Sequence, residues 1–143
     1  MSASYEDRDG KIWMDGELVD WRDANVHILT HALHYASSVF EGERCYDGKI
    51  FKSRQHSERL LKSGELIDME IPWTAEQICA AKRQVLEANG FTNAYVRAIA
   101  FRGAGPARPR PRPGRLQNHD RQPRRRRNLA LPPHVRHPRR LGI

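Results

Sequence analysis

HALHYASSVFEGERCY, residues 31–46, is the stretch on which the reading of this chain turns. Leu33, Ser37 and Phe40 fall at i, i+4 and i+7 with Ala36 beside them, the spacing of one narrow apolar face on a helix. Thr30 stands where an N-cap would, and Gly42 where such a helix would end. The small residues on that face allow another element or a ligand to approach the backbone closely. On spacing alone the commoner meaning is a short buried helix with a single helix–helix contact.

Upstream, residues 1–10 are polar and read as a frayed end. KIWMDGELVDW (11–21) then reads as two short strands around the Asp15-Gly16 turn, and NVHIL (25–29) as a third. Downstream, ERCYDGKIFK (43–52) repeats the hairpin grammar around Asp47-Gly48. Residues 53–69 form the next helix, stopped by Pro72, which pushes Ile71 out of helical conformation. Residues 74–89 carry a capping-box pair, Thr74 and Gln77, a stripe of Ile78, Ala81, Val85 and Ala88, and a closing Asn89-Gly90. TNAYVRAIAFR (92–102) has the β-branched and aromatic content of a strand. Strands at both ends with two or three helices between them predict an α+β domain on a largely antiparallel sheet over residues 1–103.

The net charge of +8 conceals two sequence types. Residues 1–103 hold 13 Lys+Arg against 16 Asp+Glu, whereas 104–143 hold 12 Arg, no Lys and the single acid Asp120, together with 8 of the 9 prolines. That segment has no period of 2 or 3.6 and little apolar area to set against about 1–2 kcal/mol of backbone entropy per ordered residue, so an Arg/Pro-rich disordered tail is expected. Its RQPRRRR run (121–127) suits non-specific binding to phosphate backbones, although no aromatics are interleaved for base stacking. Cys45 and Cys79 lie in apolar contexts without metal spacing, which fits reduced core residues of a cytoplasmic protein. His27, His31 and His34 have no recognisable metal-ligand spacing either. No apolar run approaches 18 residues and no signal-peptide pattern is present, so neither a membrane span nor secretion is expected.

Two places carry candidate chemistry. Arg59 lies only about 20° from Leu66 in helical projection, with His56, Leu60, Ser63 and Ile67 in the same sector. A guanidinium inside an apolar stripe needs an anion, either a ligand phosphate, for which its fork is suited, or an internal carboxylate. Tyr95 and Arg97, two apart on a predicted strand, share a face and together form a carboxylate-recognition pair or an exposed cross-strand pair.

THALHYASSVFEGERCY (30–46), RQHSERL (54–60) and AYVR (94–97) resemble the signature of the class IV, fold-type IV pyridoxal-phosphate aminotransferases, and within them the branched-chain amino acid aminotransferases. D-amino acid aminotransferases and aminodeoxychorismate lyases, which share the fold, are the alternatives. The resemblance runs from about Asp9 to Arg102 and implies the small N-terminal domain of that fold. It implies that Arg59 contacts the phosphate of pyridoxal 5'-phosphate. Tyr95 and Arg97 would line the substrate side, and Phe40 and Tyr35 would wall the branched side-chain pocket, Tyr35 reaching toward a neighbouring subunit. Arg44 takes a supporting place at the rim. The substrates implied are branched-chain amino acids and 2-oxoglutarate, in a homo-oligomer of two or more subunits. Proline usually follows the Arg of AYVR; Ala98 stands here.

The family's catalytic lysine is missing. Lys11, Lys49, Lys52, Lys62 and Lys82 are the only lysines, and none matches its position, so this chain is expected to be inactive. The composition after Gly103, rich in Arg, Pro, Ala and Gly, is that of a GC-rich coding sequence read in a shifted frame. A truncated aminotransferase with a foreign tail is therefore expected.

Overall fold

The computed structural model describes residues 6–104, 128–131 and 133–134. β1 (Lys11–Met14) and β2 (Glu17–Asp20) form the first hairpin, followed by a 3-10 turn over Trp21–Asp23. α1 (His31–Tyr35) leads into β3 (Ser38–Tyr46), which turns back into β4 (Lys49–Ile50). α2 (Ser53–Leu66), α3 (Ala75–Ala88) and β5 (Ala94–Phe101) complete the first hundred residues, and β6 (Asn128–Leu131) and β7 (Pro133–His134) lie beyond them. All strand pairs are antiparallel, in the order β2-β1-β6-β5-β3-β4, with β7 also on β5. This is the α+β class expected.

Both hairpins turn where the sequence places them. Asp15, Gly16, Asp47 and Gly48 all have positive φ, as two-residue turns matching the strand twist require. α3 has its full capping box: Gln77 N donates to Thr74 Oγ1 at 3.2 Å and Thr74 N to Gln77 Oε1 at 2.8 Å. Asn89, at the end of α3, acts as a piece of strand. Lys11 N donates to its Oδ1 at 2.8 Å, and its Nδ2 donates to Lys11 O at 3.0 Å, fastening β1 to the helix.

The helix expected through residues 31–42 is mostly strand. α1 ends after five residues because Ala36 turns left-handed (φ 51°, ψ 28°), and Thr30 makes no side-chain cap. From Ser38 onward the burial alternates with period 2, putting Glu41, Glu43 and Cys45 inward. Two of those inward positions are carboxylates, so no apolar alternation announces the strand. The strand expected at residues 25–29 is also absent: this segment is a loop, with Ile28 and Leu29 exposed.

Within the segment expected to be disordered, β6 lies between β1 and β5, pairing Trp13 with Leu131 and Ile99 with Ala130, while β7 pairs Tyr95 with His134. The short NLAL run offers its backbone donors and acceptors to two strand edges at once, which composition averaged over forty residues hides. The remainder of 105–143, with the RQPRRRR run, lies outside the described residues.

The core fills the space between one sheet face and the helices α2 and α3. Trp13, Leu60, Met69, Ile78, Ala81, Val85, Ala98 and Ala100 form one buried cluster; Cys45, Leu86, Ala94 and Val96 form a second. Among the described residues the other sheet face is left open around β3 and β5: Phe40 on it is exposed, and Gly42, Arg44, Tyr95, Arg97 and Ile99 are half-buried.

Candidate active site

The β3–β5 ladder decides which side chains meet. Its register pairs Phe40 with Ile99, Gly42 with Arg97 and Arg44 with Tyr95, which puts all six on the face turned away from the helices. The intervening pairs, Glu41 with Ala98 and Glu43 with Val96, are buried on the helix side. On the open face the Arg97 guanidinium lies 4.9 Å from the Phe40 ring centroid and 5.6 Å from that of Tyr95, within cation–π range of both. Arg97 Nη2 is 3.5 Å from the Tyr95 hydroxyl, and its buried Nε has no hydrogen-bond partner among the described residues. Gly42 makes this possible, since a Cβ there would overlap the Tyr95 hydroxyl. A guanidinium held between two rings with an uncommitted N–H, beside a phenol, is equipped to bind a carboxylate.

The helix side of β3 carries two charged tiers. Glu41 receives Arg59 in a fork, Nε to Oε1 and Nη2 to Oε2, both 2.6 Å, and His56 Nδ1 lies 2.8 Å from Oε2. Burial pushes the Glu41 carboxyl up, but the hydrogen bonds from Arg59 and then His56 outweigh it and hold the group below the usual carboxylate range. The same hydrogen bond raises the Arg59 guanidinium above its ordinary value. Arg59 itself remains two-thirds exposed while Glu41 is buried. Two residues on, Glu43 pairs with Lys82 of α3, and both side chains are fully buried. Lys82 Nζ also donates to Ser57 Oγ at 2.8 Å, and Ser57 Oγ lies 3.3 Å from Cys79 Sγ. Here burial wins, driving the Glu43 carboxyl up further than Lys82 brings it down.

Of the six residues given site roles in the sequence, Phe40, Tyr95 and Arg97 converge, with Arg44 on the same face opposite Tyr95. Arg59 lies across β3 from them, and the anion it meets in this chain is the Glu41 carboxylate, the internal-partner alternative left open by its spacing. Nη1 is engaged by neither Glu41 nor His56. Tyr35 stands apart on α1, 72% exposed, with its ring 4.5 Å from that of His31. Arg44 lies 5.3 Å from the Tyr46 ring. Sequence reading missed Glu41, Glu43 and Lys82. Lys82, four residues after Ile78, was already on the buried stripe of α3, and a lysine there needs a buried acid. Among the described residues no group of three His, Cys, Asp or Glu is placed to hold a metal ion.

The profile of the family described as Amino-transferase class IV matches residues 38–138. The chain belongs to the class IV aminotransferases. That match extends beyond Arg102, where the resemblance was expected to end, and takes in β6 and β7. Among class IV relatives, the branched-chain-amino-acid aminotransferase of Pseudomonas aeruginosa is 46% identical over 105 residues, covering 71% of this chain and 34% of the relative. The probable branched-chain-amino-acid aminotransferase of Rickettsia bellii is 44% identical over 104 residues, covering 73% and 36%. The solved branched-chain amino acid aminotransferase from Escherichia coli superposes with a TM-score of 0.72 at 33% identity, over 88% of this chain and 41% of that one. The branched-chain aminotransferase from the thermophilic archaeon Thermoproteus uzoniensis, solved with norvaline, gives 0.70 at 34% identity, over 88% and 40%. The chain thus spans about a third of the length of these curated relatives.

Proposed function

We propose that this chain is the small-domain part of a branched-chain amino acid aminotransferase, a family that uses pyridoxal 5'-phosphate to move an amino group between leucine, isoleucine or valine and 2-oxoglutarate. The observation that carries this reading is the Phe40–Arg97–Tyr95 arrangement on the open face of β3 and β5. Arg97, with its unpartnered Nε, binds the substrate carboxylate with help from the Tyr95 hydroxyl. Phe40 and Tyr35 supply apolar wall for a branched side chain. Arg59, oriented by Glu41 and with Nη1 uncommitted, is the ligand for the cofactor phosphate. When bound, pyridoxal phosphate supplies the electron sink for the reaction.

The fit is to binding and not to proton transfer. No lysine lies on β5, Lys82 is buried against Glu43, Lys49 opens β4 and Lys52 caps α2. The chain alone therefore holds substrate and phosphate groups without turnover. The exposed Ile28, Leu29, Leu33, Tyr35 and Phe40 are surface that a cofactor domain or a second subunit would cover in a cytoplasmic oligomer. No helix among the described residues is long and apolar enough to cross a membrane. The RQPRRRR run adds weak polyanion binding that falls steeply with salt.

The test is a titration of the full chain with pyridoxal 5'-phosphate, followed by an assay with leucine and 2-oxoglutarate. Weak saturable binding that drops at least tenfold in Arg59→Met, with no turnover, is expected. Turnover, or a borohydride-fixed adduct on one stoichiometric lysine, would overturn the inactive-fragment reading; binding unchanged in Arg59→Met would remove the phosphate role.

A further inference from the structure

The two carboxylates on the helix side of β3 compete for one neighbourhood. Glu41 and Glu43 are alternate residues on the same buried face, so their side chains project in the same direction from adjacent pleats. Arg59 and His56 from α2 face Glu41, while Lys82 from α3 and Ser53 from the start of α2 face Glu43, with Ser57 behind Lys82. Glu43 lies close enough to His56 and Arg59 for its charge to act on both. Three cationic or potentially cationic groups thus serve two acids, and how they are shared decides where the Arg59 guanidinium points.

We propose that Lys82 is a positioning residue for Arg59: by occupying Glu43 it reserves Glu41 for the two-pronged contact with Arg59 and the contact with His56. The geometry supports this division. Lys82 is anchored on its other side by Ser57 Oγ at 2.8 Å, and Ser57 is tied to the first turn of α2 through its 2.8 Å hydrogen bond to Ser53 O. The ammonium is thereby wedged between α3, α2 and β3, where it can reach Glu43 and is held there. Neither Lys82 nor Glu43 is accessible to solvent, so water cannot neutralise Glu43 if Lys82 leaves. A bare Glu43 has two remedies: to take up a proton, or to draw Arg59 and His56 inward from Glu41. The second remedy rotates the Arg59 fork away from the edge of the sheet. That consequence for Arg59 as a phosphate ligand rests on the function proposed above; the division of charges does not.

Side-chain NMR on the full chain reads the division directly. The Arg59 Nε–H signal, protected by its bond to Glu41, and the Glu41 carboxyl titration are followed in wild type, Lys82→Met and Lys82→Met/Glu43→Leu. In Lys82→Met the Arg59 Nε–H signal is expected to shift and lose protection at least fivefold, and the Glu41 midpoint to move upward. Adding Glu43→Leu is expected to return both to wild-type values, because the competing acid is gone. Lys82→Gln, which keeps a donor for Ser57 while removing the charge, gives the same reading if Lys82→Met does not fold. Wild-type behaviour of Arg59 and Glu41 in the single variants would overturn the proposal, as would failure of Glu43→Leu to restore them. Inorganic phosphate added to the same wild-type sample separates the two ideas. No phosphate-dependent shift of Arg59 counts against its ligand role alone, leaving the carboxylate division to be decided by the variants.

Discussion

The Glu41 and Glu43 carboxyls respond to acid in opposite senses. Glu41 is held below the ordinary carboxylate range in the folded chain, so its stabilising contribution is complete above its unfolded value of about 4.3 and disappears as pH falls through the folded value. Glu43 is raised, so it opposes folding increasingly as pH climbs from the unfolded value through the folded one, and acid relieves that opposition. Urea midpoints between pH 7 and pH 3 should therefore show an acid limb in wild type that is flattened in Glu41→Gln; an unchanged limb would mean that Glu41 is not its source. Gly42 makes a second prediction at this scale. Gly42→Ala drives the Tyr95 hydroxyl from its place over the strand. The expected loss is about 1–3 kcal/mol, as for an added methyl in a packed site. Thermal melts and the Tyr95-to-Arg97 contact in the variant's structure check it. The sequence already showed that Arg59 needs an anion and that Tyr95 and Arg97 share a face. It could not show which anion, because Glu41 is assigned to Arg59 only once β3 is recognised as a strand.

Elements whose signals are local were legible. The Asp-Gly turns, the Thr74–Gln77 box and the β-branched run of β5 each specify their structure within a few residues, and each forms where it reads. β3 was not legible, because Leu33 and Phe40 at helical spacing are both exposed and two of the strand's three inward residues are acids. Its start depends on Ala36, a residue with a Cβ in left-handed conformation. Ala36→Gly should therefore stabilise the chain by about 0.5–1 kcal/mol, read from the denaturation midpoint. A destabilised Ala36→Gly chain would show that the α1–β3 junction is not strained. At the start of α3, Thr74→Ala should cost about 1 kcal/mol by leaving the Gln77 N–H without its acceptor. Equal stability of the two proteins would show the box to be idle.

For the whole molecule, composition separated residues 1–103 from the rest, yet the sheet does not respect that division. β6 joins the β2–β1 hairpin to the β5–β3–β4 ladder. Removing residues 104–143 should leave the edges of β1 and β5 unpaired, lower the urea midpoint and weaken the strand signal in circular dichroism. A truncated chain with unchanged midpoint and spectrum would mean that β6 contributes no stability. The same central strand sets the order of events when the chain folds. Trp13 and Leu131, partners across β1 and β6, are 118 positions apart in sequence (131 − 13), whereas β3 meets β5 and both helices within a much shorter loop. Closing so long a loop yields no contact until it is complete, which slows folding. Pulsed hydrogen exchange during refolding should protect the β3 and β5 amides first and the amides shared by β1 and β6 last.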